Sequence, residues 1–559
     1  MIRRLVRAVF AVALTVIIPS ALLAQGGRPG AGGGPPNTGQ PQGLPISPAP
    51  AYVRTTPPTD PVIQAMWVEG MERSQAMALA QELTDVVGPR LTAAPAATVA
   101  SDWAMANYQR WGVPVRREPW GTWNSWRRGI SHLDLLTPRV RSLEAIQLAW
   151  SPGTNGRPVD GDVVIMPDVK TADDLDAFLK QAKGKFVLNS PPQLSCRSSQ
   201  QWAEFATPES RTAMDKAQDS IRLAWVAKGT GVSAIVGPLP ATISDRFQSA
   251  GVAGVLGMNW SRYPGIDKIF GSPRQKVPTI DVGCEDYGLL YRLAEHNQRP
   301  RVRLTTESEF LGEQPAFNTI AEIKGSEKPN EYIILSAHYD SWDGGSGATD
   351  NGTGSITMME AMRILKATYP RPKRTILVGH WQGEEQGLNG SRAFSEDHPE
   401  IVSGLQALFN QDNGTGRVVG MGPGALPGTA AHLESYLGQI PSQLTQWIRM
   451  GSAGAPASGG SDNASFACYG APAFGLGALG WDYGLTTWHT NRDTYDKIVA
   501  DDLKNNATLT AMLVYLASED PQTMPRDRLD PLPNDQRTGQ PMVWQPCPKA
   551  TRKSTDSTR

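Results

Sequence analysis

Tyr332-Ile-Ile-Leu-Ser-Ala-His338-Tyr-Asp340-Ser-Trp-Asp343-Gly-Gly-Ser-Gly-Ala-Thr-Asp350-Asn351-Gly-Thr-Gly354 is the stretch on which the fold turns. The apolar run from Tyr332 to Ala337 reads as a buried strand, and it ends at a histidine that opens a loop rich in aspartate and glycine. Ser355 to Ala367 then has the spacing of an amphipathic helix, and two further apolar runs, Thr375 to Gly379 and Leu405 to Phe409, repeat the strand signal. Strands alternating with helices specify an α/β fold: a mixed, mainly parallel sheet sandwiched by helices. In such open sheets, functional groups collect in the loops at the carboxyl ends of strands.

The residues at those ends fit that rule. The strand at Thr375 opens into His380-Trp-Gln-Gly383-Glu384-Glu385-Gln-Gly387, and the strand at Leu405 ends in Asn410-Gln-Asp412-Asn413-Gly414. Further on, Trp488-His489-Thr-Asn-Arg-Asp493-Thr-Tyr-Asp496 brings another histidine within an acidic loop. Zinc accepts histidine nitrogen and carboxylate oxygen, and a binuclear site takes one bridging ligand and two terminal ligands per metal. His and carboxylates on these loops suffice for such a set. Of the adjacent Glu384 and Glu385, one can serve as ligand while the other takes a proton from the attacking water. Other histidines, His132, His296, His398 and His432, read as structural hydrogen-bonders, and His380 as a packing residue. The 16 Trp residues suit core packing better than a sugar-binding surface. Tyr483 is a candidate donor to a developing oxyanion.

The rest of the chain sets the context. Its 559 residues imply more than one domain, and 53 basic against 54 acidic side chains, with no sustained basic run, exclude a nucleic-acid binder. Residues 1–24 read as a signal peptide, with arginines followed by an apolar stretch too short to span a bilayer, so export to the periplasm or beyond is expected, without a stable membrane span. Residues 25–60 form a Gly- and Pro-rich tether expected to be disordered. Residues 61–127 read as the N-terminal part of the main domain, with helical periodicity from about Pro61 to Gly112 broken at Gly88-Pro89; 128–309 change to short β-rich pieces around a helix at Ala172 to Lys183, as an inserted domain would; 310–520 hold the alternating pattern; and 521–559 are a tail. The four cysteines, Cys196, Cys284, Cys468 and Cys547, allow two bridges in three connectivities, and none forms a Cys-x-x-Cys metal motif.

His338-x-Asp340, Asp350-Asn351-Gly, Gly383-Glu384-Glu385, Asp412 and His489 occur in the order of the M28 family of metallopeptidases, which the chain resembles; Gly88-Pro-Arg-Leu-Thr92 is similar to the family's N-terminal segment. The resemblance implies a zinc exopeptidase fold and two zinc ions. His338 and Asp412 would hold one, Glu385 and His489 the other, and Asp350 would bridge them. Glu384 is implied as the general base. Asp340, grouped with it as catalytic, would orient His338, and Asp493 would do the same for His489. A cis peptide after Asp350 is also implied, and 128–309 resembles a protease-associated domain. Ser461-Asp462-Asn463 departs from the Ser-Asp-His of many family aminopeptidases. The implied activity is hydrolysis of terminal bonds in peptide substrates, by an aminopeptidase first and a carboxypeptidase Q-like dipeptidase or carboxypeptidase second. An inactive binding protein of the same fold is the alternative from another class, and a one-zinc glutaminyl cyclase conflicts with the presence of both His338 and Asp412.

Overall fold

The computed structural model describes residues 60–237, 241–272, 276–535 and 538–554. The expected signal peptide and all of the expected tether but Asp60 lie outside these residues. Asp60 caps the first helix, Pro61–Trp67, its carboxylate accepting from the N–H groups of Val62 and Ile63. An aspartate before a proline at the first helical position is a strong helix start, because the carboxylate satisfies N–H groups that have no partner within the helix.

The strand signals correspond to Lys328–His338, Arg374–Trp381 and Leu405–Asn410, and the helix signal to Thr353–Thr368. Together with Ala473–Gly475, these strands run parallel in the order 473–475, 405–410, 328–338, 374–381. Every residue of Arg374–Trp381 and of Leu405–Asn410 is buried, which explains their unbroken apolar character. Alternate side chains serve opposite faces. Ile333 and Leu335 join Ile356, Met359 and Met362 of the 353–368 helix and Leu509, Met512 and Leu513 of Ala500–Glu519 in one cluster. Ile334, Leu377, Trp381, Leu408, Phe394 and Phe466 form the cluster on the other face. Helices thus cover both sides of a mainly parallel sheet.

Two strands of 23 residues, Val115–Thr137 and Arg301–Ile323, pair antiparallel along most of their length. The end of the second pairs with 374–381, from Ile323 opposite Ile376 to Thr319 opposite His380, and its beginning pairs with Val159–Ile165. The sheet thereby continues into the segment expected as an insertion, through Phe186–Leu188, Gly254–Gly257 and Thr279–Val282 in parallel and Ala145–Gln147 antiparallel at the edge. That segment has its own apolar clusters, one around Phe186, Leu256 and Tyr287, another around Phe178, Trp225 and Phe247. It also contains Pro208–Val236, a 29-residue helix of which only Trp225, Gly229 and Val232 are buried, so that no wide apolar stripe marks it in the sequence.

The cysteines pair as Cys196–Cys284 and Cys468–Cys547, the second bridge tying the tail to the body of the chain. Trp126 and Trp381 are fully buried, and Trp120, Trp123, Trp150 and Trp225 nearly so, which gives these indoles to the core. Among the described residues, no helix is long and apolar enough to cross a membrane.

Candidate metal centre

The ends of the parallel strands converge. His338 is the last residue of its strand, Asp350 precedes the 353–368 helix, Glu384 and Glu385 follow 374–381, Asp412 follows 405–410, and His489 follows the turn Tyr483–Thr487. The Asp350–Asn351 peptide is cis. Glycine is required where the backbones meet: a Cβ on Gly354 would lie 2.2 Å from Asn351 Oδ1 and 2.4 Å from the Gln411 carbonyl, so only glycine lets the helix begin against the end of the 405–410 strand.

Two groups of ligand atoms result, each confined within 4.8 Å: His338, Asp350 and Asp412 in one, Asp350, Glu385 and His489 in the other. Asp350 belongs to both. Its Oδ1 lies 3.5 Å from His338 Nε2 and its Oδ2 lies 3.1 Å from His489 Nε2. Asp412 Oδ1 is 3.2 Å from His338 Nε2, and Glu385 Oε2 is 3.0 Å from His489 Nε2. Glu384 stands outside both groups, its Oε2 at 3.9 Å from His338 Nε2. His338 Nδ1 lies 3.0 Å from the Asp340 carbonyl oxygen, where it donates, which leaves Nε2 turned to the carboxylates.

The donor set fits zinc on an observation of its own. His338 Nε2, Asp350 Oδ2 and Glu385 Oε1 are buried and have no hydrogen-bond partner. Buried nitrogen and oxygen atoms that converge without hydrogen-bond partners are the atoms a cation placed among them would satisfy. Two ligands that each sit ~2.0–2.1 Å from a tetrahedral zinc are roughly 3.3 Å apart, close to the nitrogen–oxygen separations here.

Burial and crowding set the protonation. Glu384 is pushed well above the usual carboxyl range, first by burial and then by the Asp412, Glu385 and Asp462 carboxylates, against the pull of His338. Glu385 is raised to about 7 by burial, with Asp350 adding to the effect and His489 opposing it. Burial works against charge on His489, but Glu385 and Asp350 outweigh it and raise the imidazole to about 9. Asp350 shows the converse: burial raises its carboxyl, and His338 and His489 more than reverse this, holding it well below the ordinary range.

Two expected supports act differently from the implied roles. The Asp340 carboxylate is 3.7 Å from His338 Nδ1, and it is the backbone oxygen of Asp340 that holds the ring. The carboxylate accepts instead from Thr92 Oγ1 at 3.0 Å and from the N–H groups of Glu384 and Glu385 at 3.3 Å each. Asp493 does not bond the His489 ring, whose buried Nδ1 has no hydrogen-bond partner; its two oxygens accept from the N–H groups of Thr349 at 2.7 Å and Asp350 at 3.0 Å. Asp340 thus fixes the loop bearing the glutamates, and Asp493 fixes the backbone of Asp350.

Arg90 is a further support whose function the motif at Gly88-Pro-Arg did not reveal. Fully buried, its guanidinium donates to the carbonyls of Gly88, Tyr339, Ser346 and Gly347 at 2.6–2.7 Å, clamping the loop between His338 and Asp350. Asp462 is also fully buried, and its carboxyl is raised to about 7 by burial and by Asp412 and Asp340, with His338 opposing. Tyr483 is buried near Asp350 and Asp412, which with burial push its phenol up. His380 turns to Tyr108, its Nε2 at 2.8 Å from the hydroxyl. His398 pairs with Glu118 and Glu400, and His432 with Asp520, while His132 and His296 are exposed.

The profile described as Peptidase family M28 matches residues 318–514, a span that contains all five grouped residues and Glu384. Human carboxypeptidase Q is 26% identical over 446 residues, covering 79% of this chain and 85% of that protein. A solved structure of a peptidase M28 precursor from Shewanella amazonensis SB2B has a TM-score of 0.60 at 23% identity, covering 85% of this chain and 98% of its own. BSAP, a zinc aminopeptidase from Bacillus subtilis, has a TM-score of 0.50 at 18% identity, covering 82% of this chain and 97% of its own. The two solved structures show the shared fold, and the profile match places the segment 318–514, with the whole ligand cluster, in peptidase family M28.

Proposed function

We propose that the protein is an exported two-zinc exopeptidase that cleaves the terminal bond of peptides, acting as an aminopeptidase. The observation that carries this reading is Asp350, which turns one oxygen to each of the two ligand groups. His338 and Asp412 would hold one zinc, Glu385 and His489 the other, with Asp350 shared. The zinc ions, when bound, supply polarisation of the scissile carbonyl and acidification of a water.

The chain's own groups do the rest. Glu384 lies beside both groups without belonging to either, and its surroundings give it a high affinity for a proton. It takes the proton of the attacking water and passes it to the leaving amine. Asp340, holding the N–H groups of Glu384 and Glu385, sets where the base stands. Tyr483 donates to the oxyanion without adding charge. Segment 128–309 is read as a protease-associated-like domain, and the two disulfides suit the oxidising compartment that export implies.

The relatives named carboxypeptidase Q favour a second reading, a carboxypeptidase or dipeptidase at the same centre. Dipeptides and longer peptides blocked at one end separate the two, since an aminopeptidase requires the free amine and a carboxypeptidase the free carboxylate. Cleavage of doubly blocked peptides would rule out both. Glu384→Gln should retain zinc and lose at least about a hundredfold in kcat; undiminished turnover would remove Glu384 from the mechanism. A protein that only binds peptides would show no turnover in either form.

A further inference from the structure

The loop that presents His489 is held by residues outside the M28 span. Lys268 and Thr490 form an antiparallel bridge, Ile269 N–H donates to the His489 carbonyl at 2.8 Å, and Asn491 N–H donates to the Asp267 carbonyl at 3.1 Å. Asp267 N–H donates in return to Asn491 Oδ1 at 3.1 Å. Arg492 extends the seam to Glu144 at 2.8 Å and to the Gly265 carbonyl at 3.2 Å. All of these partners of the loop come from segment 128–309.

Side chains complete the support. The buried Lys268 ammonium donates to the Trp488 carbonyl and lies 4.5 Å from the centre of the Trp488 ring. That indole stacks on the His489 imidazole with centroids 4.0 Å apart and planes 23° apart, while Phe270 meets the same imidazole edge-on at 4.9 Å. A metal-binding histidine ordinarily has its ring fixed by a hydrogen bond from its other nitrogen. His338 has that bond, to the Asp340 carbonyl, whereas His489 Nδ1 is buried without a partner. His489 also has φ of 51°, a left-handed conformation that L residues avoid unless their surroundings impose it. Its orientation therefore comes from packing and from the paired backbone of 267–269.

We propose that residues 267–270 act as a splint that positions His489, with Lys268 and Phe270 as positioning residues, and that this splint tunes the affinity of the Glu385–His489 metal while leaving the His338–Asp412 metal unaffected. The proposal rests on the two-zinc reading above. It makes segment 128–309 a determinant of one metal of the pair.

Zinc titration of the full chain against a chromophoric chelator tests it. Wild type takes up two equivalents. Lys268→Met and Phe270→Leu keep one equivalent at wild-type affinity and hold the second roughly tenfold to a hundredfold more weakly. Lys268→Arg, which preserves the donor and the cation over the indole, retains the second equivalent. In an Asp412→Asn background the weakening falls on the more tightly held remaining zinc. Thermal melting of the metal-free proteins separates this from misfolding, and Phe270→Leu carries the test if Lys268→Met does not fold. Two zinc at unaltered affinity in the folded variants, or equal weakening of both, overturns the splint alone. A wild type that binds fewer than two zinc overturns the two-metal reading and the splint with it.

Discussion

Replacing His380 by glutamine should make the protein less sensitive to acid. The imidazole is 2% exposed, and burial pushes it down to about 3. Its neighbours are Tyr108, whose hydroxyl is at 2.8 Å, and the Tyr339 ring at 6.4 Å; burial raises both phenols, so neither carries charge near neutral pH. An unfolded histidine titrates near ~6.5. Between the folded and unfolded values the unfolded chain binds a proton that the folded chain refuses, so stability falls as the pH drops through that window. Near pH 5 the unfolded group is about 1.5 units below its midpoint, and each unit is worth about 1.4 kcal/mol, so His380 removes about 2 kcal/mol relative to neutral pH. Urea unfolding with chelator present, so that zinc affinity does not contribute, should show wild type losing about 2 kcal/mol more than His380→Gln between pH 7 and pH 5. Glutamine can still bond Tyr108, so the comparison isolates the ionisation. Equal losses in the two proteins would refute the assignment of a neutral, buried imidazole.

Two further outcomes follow from the supports and from the centre. Arg90→Met leaves the carbonyls of Gly88, Tyr339, Ser346 and Gly347 without the donor they share, and at about 1–3 kcal/mol for each buried acceptor left unpaired it should destabilise the chain by at least about 3 kcal/mol in urea unfolding; a loss under about 1 kcal/mol would mean the clamp is dispensable. Zinc bound only by the folded state should raise the melting temperature over that in chelator, by about 4 kcal/mol of stability per site at a thousandfold excess over Kd, and an unchanged melting temperature would argue against a folded-state metal site.

The fold was legible where pattern and burial coincide. The runs at Tyr332, Thr375 and Leu405 are apolar without alternation because their strands are covered on both faces, and each is followed by a polar residue, His338, His380 or Asn410, that is itself buried. The long ribbon Val115–Thr137 with Arg301–Ile323 was not legible. Its burial alternates irregularly, with Arg, Glu and Thr along much of it, because one stretch passes through the core while another faces solvent. The 29-residue helix from Pro208 was hidden for a related reason: it touches the body at only a few positions.

The site divides along a similar line. The loops after the strand signals offered histidines and carboxylates, so local sequence implied a cluster, and the resemblance to the M28 family singled out His338, Asp350, Glu384, Glu385, Asp412 and His489 among them. Their supports are set by contacts across the chain. The resemblance implied that Asp340 orients His338 and Asp493 orients His489; the folded loops direct the Asp340 carboxylate to the glutamate backbone and that of Asp493 to the Asp350 backbone. Arg90 reaches Tyr339 across 249 residues, and Lys268 reaches Trp488 across 220. No period or spacing encodes such pairs. The asymmetry between the histidines follows from this: His338 ends a central strand and finds a carbonyl two residues on, whereas His489 sits on a loop and takes its rigidity from a distant segment. Changes in 128–309 should therefore reach the chemistry through His489 before they reach it through His338.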